Sequence, residues 1–160
     1  MNASPELWED LPIQDVIPHK GMMSLLTRII AYTEDSISTV AEIHPDNPFL
    51  VDEKGVPVCI GFEYMAQTMA AFAGLASLRD NVPLKLGVLV GCRRAVCARP
   101  YFVVGQKLRI SAKLDWESDG MGNFSAQIFD DATNEELMSG RVNVYQPDDP
   151  FEYFNLSGAV

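Results

Sequence analysis

Residues 57–78 (PVCIGFEYMAQTMAAFAGLASL) constrain this chain more than any other stretch. They read as one long helix that is apolar nearly all round, and such a helix must be covered on nearly every side. Pro57 suits a first helical position, where its missing N–H costs nothing. One turn from the start stands Glu63, and Gln67 follows at i+4 on the same face. A carboxylate in apolar surroundings is costly unless it is paired, hydrogen-bonded or neutral. Such groups concentrate where a protein needs an acid or base with altered acidity. The segment is long enough to raise the question of a membrane span. Glu63, Gln67, Thr68 and the many small residues favour a soluble helix wrapped by a sheet instead.

The sequence on either side supplies that sheet. Residues 24–32 and 36–43 are strand-like, and 33–35 join them as a hairpin. The prolines of 44–48 (HPDNP) must end the second strand. Beyond the helix, 81–83 form a turn and 85–91 a short apolar strand, which 93–102 either continue or replace after a bend. In 107–116, Leu108, Ile110, Ala112 and Leu114 alternate with Lys107, Arg109 and Lys113. Residues 123–130 and 137–145 follow, joined by a turn at 131–134. Period-two alternation marks antiparallel sheet with one buried face. Residues 7–11 read as a helical turn or two, and 18–21 as a turn. Residues 1–21 form an N-terminal extension and 147–160 a loose tail of one domain spanning 1–160. The architecture expected is α+β, with a curved antiparallel sheet around a central helix and a second protomer completing the cover, sheet edge to sheet edge.

Charge narrows the function classes. The chain carries a net −10, which the phosphate backbone of nucleic acid would repel. Residues 79–113 hold eight cations and one acid, a net of +7, and leave −17 for the remainder. That segment is either a set of solvated strand faces or a docking patch for an acidic partner. Cys59, Cys92 and Cys97 form neither a metal-type cluster nor an even-numbered framework, and no cationic and apolar leader opens the sequence. A cytoplasmic location is therefore expected. Two isolated histidines lack ligand spacing, so no metal is expected, and no cofactor is implied.

The expected architecture is that of the hotdog fold. Pro18-His19-Lys20 with Ser24-Leu25-Leu26-Thr27-Arg28 resembles the opening of the 3-hydroxyacyl-[acyl carrier protein] dehydratases. Asn47-Pro48-Phe49 is similar to that family's turn, and Glu63-Tyr64-Met65-Ala66-Gln67 to its helix motif. Arg99-Pro100, Val104-Gly105-Gln106-Lys107-Leu108 and Gly122-Asn123-Phe124-Ser125-Ala126 are similar to its later segments. The matches run in order from about residue 17 to 145, and the nearest likeness is to divergent dehydratase-like subunits encoded in aryl polyene clusters.

The resemblance implies roles and one omission. Glu63 corresponds to the family's acid, which burial would help to hold a proton near neutral pH. The N–H of Val58 or Cys59 occupies the position from which the family polarises the thioester carbonyl, and Gln67 could orient Glu63. The family's base is a His in the loop before the helix, and residues 49–57 here contain none. A hotdog partner could bring that His, since the family builds each site from two subunits. His19 or His44 could serve instead, although either could equally be structural, or the subunit could be non-catalytic. The carrier is acidic in such systems, which makes Arg93, Arg94, Arg99 and Lys107 candidates for docking it. A hotdog thioesterase, with a helix carboxylate activating water, and a structural partner of an active dehydratase are the alternatives. Both a homodimer and a heterodimer fit.

Overall fold

A computed structural model describes residues 8–155. Its elements follow in chain order as β1 (Arg28–Tyr32), β2 (Ser36–Glu42), β3 (Val56–Pro57), α1 (Gly61–Arg79), β4 (Val88–Cys97), β5 (Tyr101–Phe102), β6 (Lys107–Ser118), β7 (Met121–Asp130), β8 (Glu136–Tyr145) and α2 (Pro150–Tyr153). Six strands form an antiparallel sheet in the order β1-β2-β6-β7-β8-β4, and β3 pairs with β5 apart from it. This is the α+β hotdog arrangement.

The alternation does its expected work. Ile37 and Ala41 of β2, Leu108, Ile110 and Ala112 of β6, and Phe124, Ala126 and Ile128 of β7 are buried beneath α1. Burying such side chains contributes about 1.5–3 kcal/mol for each large one. Two hydroxyls lie within this face: Thr39 and Thr68 share a hydrogen bond of 2.8 Å, and Thr68 donates to the Tyr64 carbonyl at 2.9 Å. The pairing satisfies groups that would otherwise be costly to bury.

Several boundaries differ from expectation, each for a local reason. The helix opens with a 3₁₀ turn over Val58–Ile60 before α1 begins. At Gly61, where α1 begins, an added Cβ would lie 2.3 Å from the Met138 sulfur. Residues 24–27 precede the first strand: the Leu25 N–H is bonded to Gln67 of α1 at 2.9 Å, and the chain first joins β2 at Thr27, whose N–H donates to the Val40 carbonyl at 2.8 Å. The chain between 85 and 102 makes one ten-residue strand, β4, and the break falls before Pro100, where β5 leaves the large sheet for β3. The N-terminal stretch is part of the core: Ile13, Val16 and Ile17 are buried. A Cβ at Gly74 would lie 1.9 Å from the Val16 carbonyl oxygen, so only glycine lets the two backbones meet. At the other end Asp149 caps α2 by accepting from the Glu152 N–H at 3.0 Å, and Tyr153 packs on Tyr145 at 5.1 Å between ring centroids. Leu7 of the expected first helical turn and residues 156–160 of the tail lie outside the described residues; 8–10 form a turn.

Candidate active site

Gln67 organises the site from beneath. Its amide is fully buried, one turn after Glu63. Its Oε1 accepts from the Leu25 N–H at 2.9 Å, while its Nε2 donates to the Met23 carbonyl at 2.7 Å and to Glu63 Oε1 at 2.9 Å. One side chain thereby ties residues 23–25 to α1 and aims the carboxylate. The short turn Gly21–Met23 then carries the preceding residues across the helix.

That path brings His19 to Glu63. The imidazole Nε2 stands 3.4 Å from Glu63 Oε1, and the side chains are 27% and 34% exposed. Glu63 is therefore a carboxylate at a rim rather than one sunk in the core, which corrects the expectation of deep burial. The cause is sequence-local: the positions beside it on α1 are Ala66, Ala70 and Ala73, too small to close over it. Among the described residues His19 Nδ1 has no hydrogen-bond partner although it is buried, a costly arrangement of the kind that functional sites retain.

Both side chains line a cavity of about 620 Å³. It runs along the alanine side of α1, with Phe72, Leu114, Phe124 and Val144 on its apolar walls, and ends near Asp80, Lys85 and Glu117. Between Glu63 and Asp80 the helix advances about 25 Å. The small residues spaced i, i+4 and i+7 were the available signal for this groove; as ordinary core they are mistaken for filler.

The other candidates fall elsewhere. The Val58 N–H donates to the Pro100 carbonyl at 2.9 Å, so it is not free to polarise an acyl carbonyl. Neither Val58 nor Cys59 is among the residues lining this cavity. His44 lines a separate pocket of about 180 Å³ with Glu42 and Asp46. Asn47 braces the loop before α1: its Nδ2 donates to the Tyr64 hydroxyl at 3.1 Å and its Oδ1 accepts from the Phe49 N–H at 2.9 Å. Burial raises the Tyr64 phenol pKa above its usual 10, and the Asn47 bond partly opposes the rise.

The four candidate docking cations do not share one patch. Arg99 is held by Glu135 through Nε and Nη2, both at 3.1 Å. Lys107 opens β6, whereas Arg93 lies across β8 and β7 from Lys113, six residues further along β6. Lys107 and Arg93 are thus about 20 Å apart along the strands and three strands apart across them. Arg93 and Arg94 stand together on β4, apart from the other two.

Comparison with known proteins places this geometry. The chain is similar to a chain of the dehydratase heterocomplex ApeI:P from Xenorhabdus doucetiae, with 28% identity, 91% of this chain and 97% of that one covered, and a TM-score of 0.84. It shares its fold with the PaaI protein of E. coli (15% identity, 73% and 80% covered, TM-score 0.57). Zebra fish thioesterase superfamily member 2 has that fold too (10%, 84% and 91%, TM-score 0.59). None of the curated proteins matches the sequence. The model of the ApeP-like family, described as ApeP dehydratase, matches residues 11–155. The chain belongs to the ApeP-like dehydratase family.

Proposed function

We propose that this protein dehydrates 3-hydroxyacyl thioesters delivered by an acyl carrier protein, with Glu63 as acid and His19 as base. The observation that carries the reading is the approach of His19 Nε2 to Glu63 Oε1, 3.4 Å, on the wall of a long apolar cavity. The base missing from the loop before the helix is thereby supplied from the N-terminal segment of the same chain.

The chemistry needs one proton resident on the pair. With that proton on Glu63, neutral His19 takes the proton from C2 of the thioester. The C2–H electron pair becomes the C2=C3 bond as the C3–O bond breaks. Glu63 gives its proton to the departing hydroxyl, which leaves as water. His19 then holds the abstracted proton, and its transfer to the adjacent carboxylate restores the starting state. Gln67 keeps Glu63 Oε1 turned toward the imidazole throughout. The apolar length beyond the pair suits an extended acyl chain. The family relative's heterocomplex supports a second hotdog subunit as partner for this chain also, and the protein acts in the cytoplasm in this reading.

The test measures enoyl formation from a 3-hydroxyacyl carrier thioester, using the chain alone and together with a candidate hotdog partner. Glu63→Gln and His19→Ala should each lower turnover by about 10²–10⁴-fold without shifting the melting temperature. Turnover retained in His19→Ala sinks the in-chain base. Free thiol released from an acyl thioester lacking the hydroxyl would favour hydrolysis instead.

A further inference from the structure

Gly122 lies inside β7 with large side chains around it on the core face: Phe124 on its own strand, Val144 across on β8 and Leu114 on β6. Glycine weakens a strand interior, and it is found there at a bulge or bend, at the close approach of another backbone, or where a ligand approaches. The first two reasons fail at 122. Gly122 pairs in register with Glu117 and Val144, and the nearby bulge falls on β6 between Leu114 and Trp116. Its φ lies outside the positive range. The three atoms nearest to a Cβ added there would be side-chain tips, those of Phe124 and Val144 at 3.3 Å and that of Leu114 at 3.8 Å. Gly74 is the contrast, since a Cβ there would lie 1.9 Å from a carbonyl oxygen. A ligand is the remaining reason for glycine at 122.

Gly122 and its three neighbours all line the cavity that holds His19 and Glu63. Contacts between α1 and the sheet fix the direction along it. A Cβ at Gly61 would lie 3.2 Å from Ile128 Cδ1, while Phe72 meets Phe124 edge-on at 5.7 Å between centroids. The helix therefore advances from its start as β7 is followed back from Ile128 toward Gly122. Those six residues of β7 span about 20 Å, and Glu63 stands about 3 Å along from Gly61. About 17 Å of groove thus separate the carboxylate from the bare backbone at 122. An extended saturated chain advances about 1.3 Å per carbon, so about 13 carbons beyond C3 bring its end over Gly122.

We infer that Gly122 is a specificity-determining residue: its missing side chain is the space that receives the end of a long acyl chain whose C3 lies at Glu63. This role rests on the reading of the groove as an acyl site. A side chain at 122 would occupy that space, and in an apolar pocket even one methylene alters discrimination measurably. Short chains end before they reach it.

The test reads binding without chemistry. Hexadecanoyl and hexanoyl pantetheine analogues, with an amide in place of the thioester, are titrated calorimetrically into the full-length chain. Neither analogue can be dehydrated or hydrolysed, so the result stands apart from the roles given to His19 and Glu63, which enoyl formation tests separately. The wild type should bind the hexadecanoyl analogue at least about 100-fold more tightly than the hexanoyl one. Gly122→Leu should reduce that preference at least about tenfold, and Gly122→Ala about fourfold. No preference in the wild type, an unchanged preference in Gly122→Leu, or equal losses for both analogues overturn the inference. So does a Gly122→Leu chain that loses self-association while keeping its preference, which would give the space to a second protomer. Melting curves confirm folding of each variant, and Gly122→Ala decides the matter should the leucine variant fail to fold.

Discussion

The two sides of α1 do opposite things with the same helix. Toward the sheet it presents Tyr64, Thr68, Ala71 and Leu75, all buried, with every hydroxyl of that set bonded. Toward the cavity it presents Glu63, Ala66, Ala70 and Ala73, which are partly exposed and leave the space of the groove unfilled. An all-apolar helix thus hides a division into a packed side and a binding side, set by residue size rather than polarity. Gln67 is the exception that joins them: fully buried, yet bonded to the carboxylate of the binding side.

Removing that link breaks the contrast most severely. In Gln67→Leu the Leu25 N–H and the Met23 carbonyl lose their partner, and Glu63 loses its orientation. Each buried group left unpaired costs about 1–3 kcal/mol. The variant should therefore melt at clearly lower temperature and lose most of its turnover, and Gln67→Glu should fare no better, since its second oxygen would face the Met23 carbonyl and Glu63 Oε1 with no proton to donate. A Gln67→Leu protein as stable and active as the wild type would show that the two sides are uncoupled.

Neighbouring positions sharpen the contrast at smaller cost. Gly74→Ala adds one methyl where the Val16 carbonyl stands 1.9 Å away, so residues 13–17 must shift. Overpacking of this kind costs about 1–3 kcal/mol, from which the gain in helix propensity subtracts about 0.5–1 kcal/mol. Ala73→Leu adds far more volume one residue earlier, on the cavity side. It should leave the unfolding free energy within about 0.5 kcal/mol of wild type. Its effect should fall on turnover of long acyl chains, while short ones are processed as before. Equal losses for both chain lengths would mean that acyl chains do not follow the alanine groove.

Much of this was legible in the sequence, and the exceptions have physical causes. Alternation in residues 107–116 and 123–130 announced buried faces because a strand's period is local. The turn at 131–134 was announced by its polar residues, and Asp130 accepts from the N–H groups of Ala132 and Thr133 there. The meeting of His19 with Glu63 was not legible, since it depends on a path through Gly21–Met23 that bonds to Gln67 some forty residues later. Burial of Glu63 was overestimated for a related reason. Hydropathy counts alanine as apolar, but the alanines beside Glu63 are too short to exclude water. Of the two readings left open for 85–102, the continuous strand is the one observed, but it ends at Cys97 because β5 then joins β3, a choice of partner that no local pattern records.

The packed side offers the subtlest test. Tyr64→Phe deletes the hydroxyl that accepts from Asn47 Nδ2 at 3.1 Å and leaves the ring against Phe102 at 6.1 Å between centroids. The loss should be about 0.5–1.5 kcal/mol near neutral pH, together with some loosening of the Asn47–Phe49 loop. Alkaline pH should then narrow it. Burial holds the phenol protonated above its usual pKa of 10, so the unfolded chain releases that proton first. The wild type accordingly loses stability as pH rises past 10 toward the folded value. Phenylalanine has no proton to lose and is spared this contribution. Stability measured at pH 7 and again above 10 should bring the two proteins together, and a gap that widens instead would mean that the Tyr64 hydroxyl is not the buried, neutral group that secures the packed side of the helix.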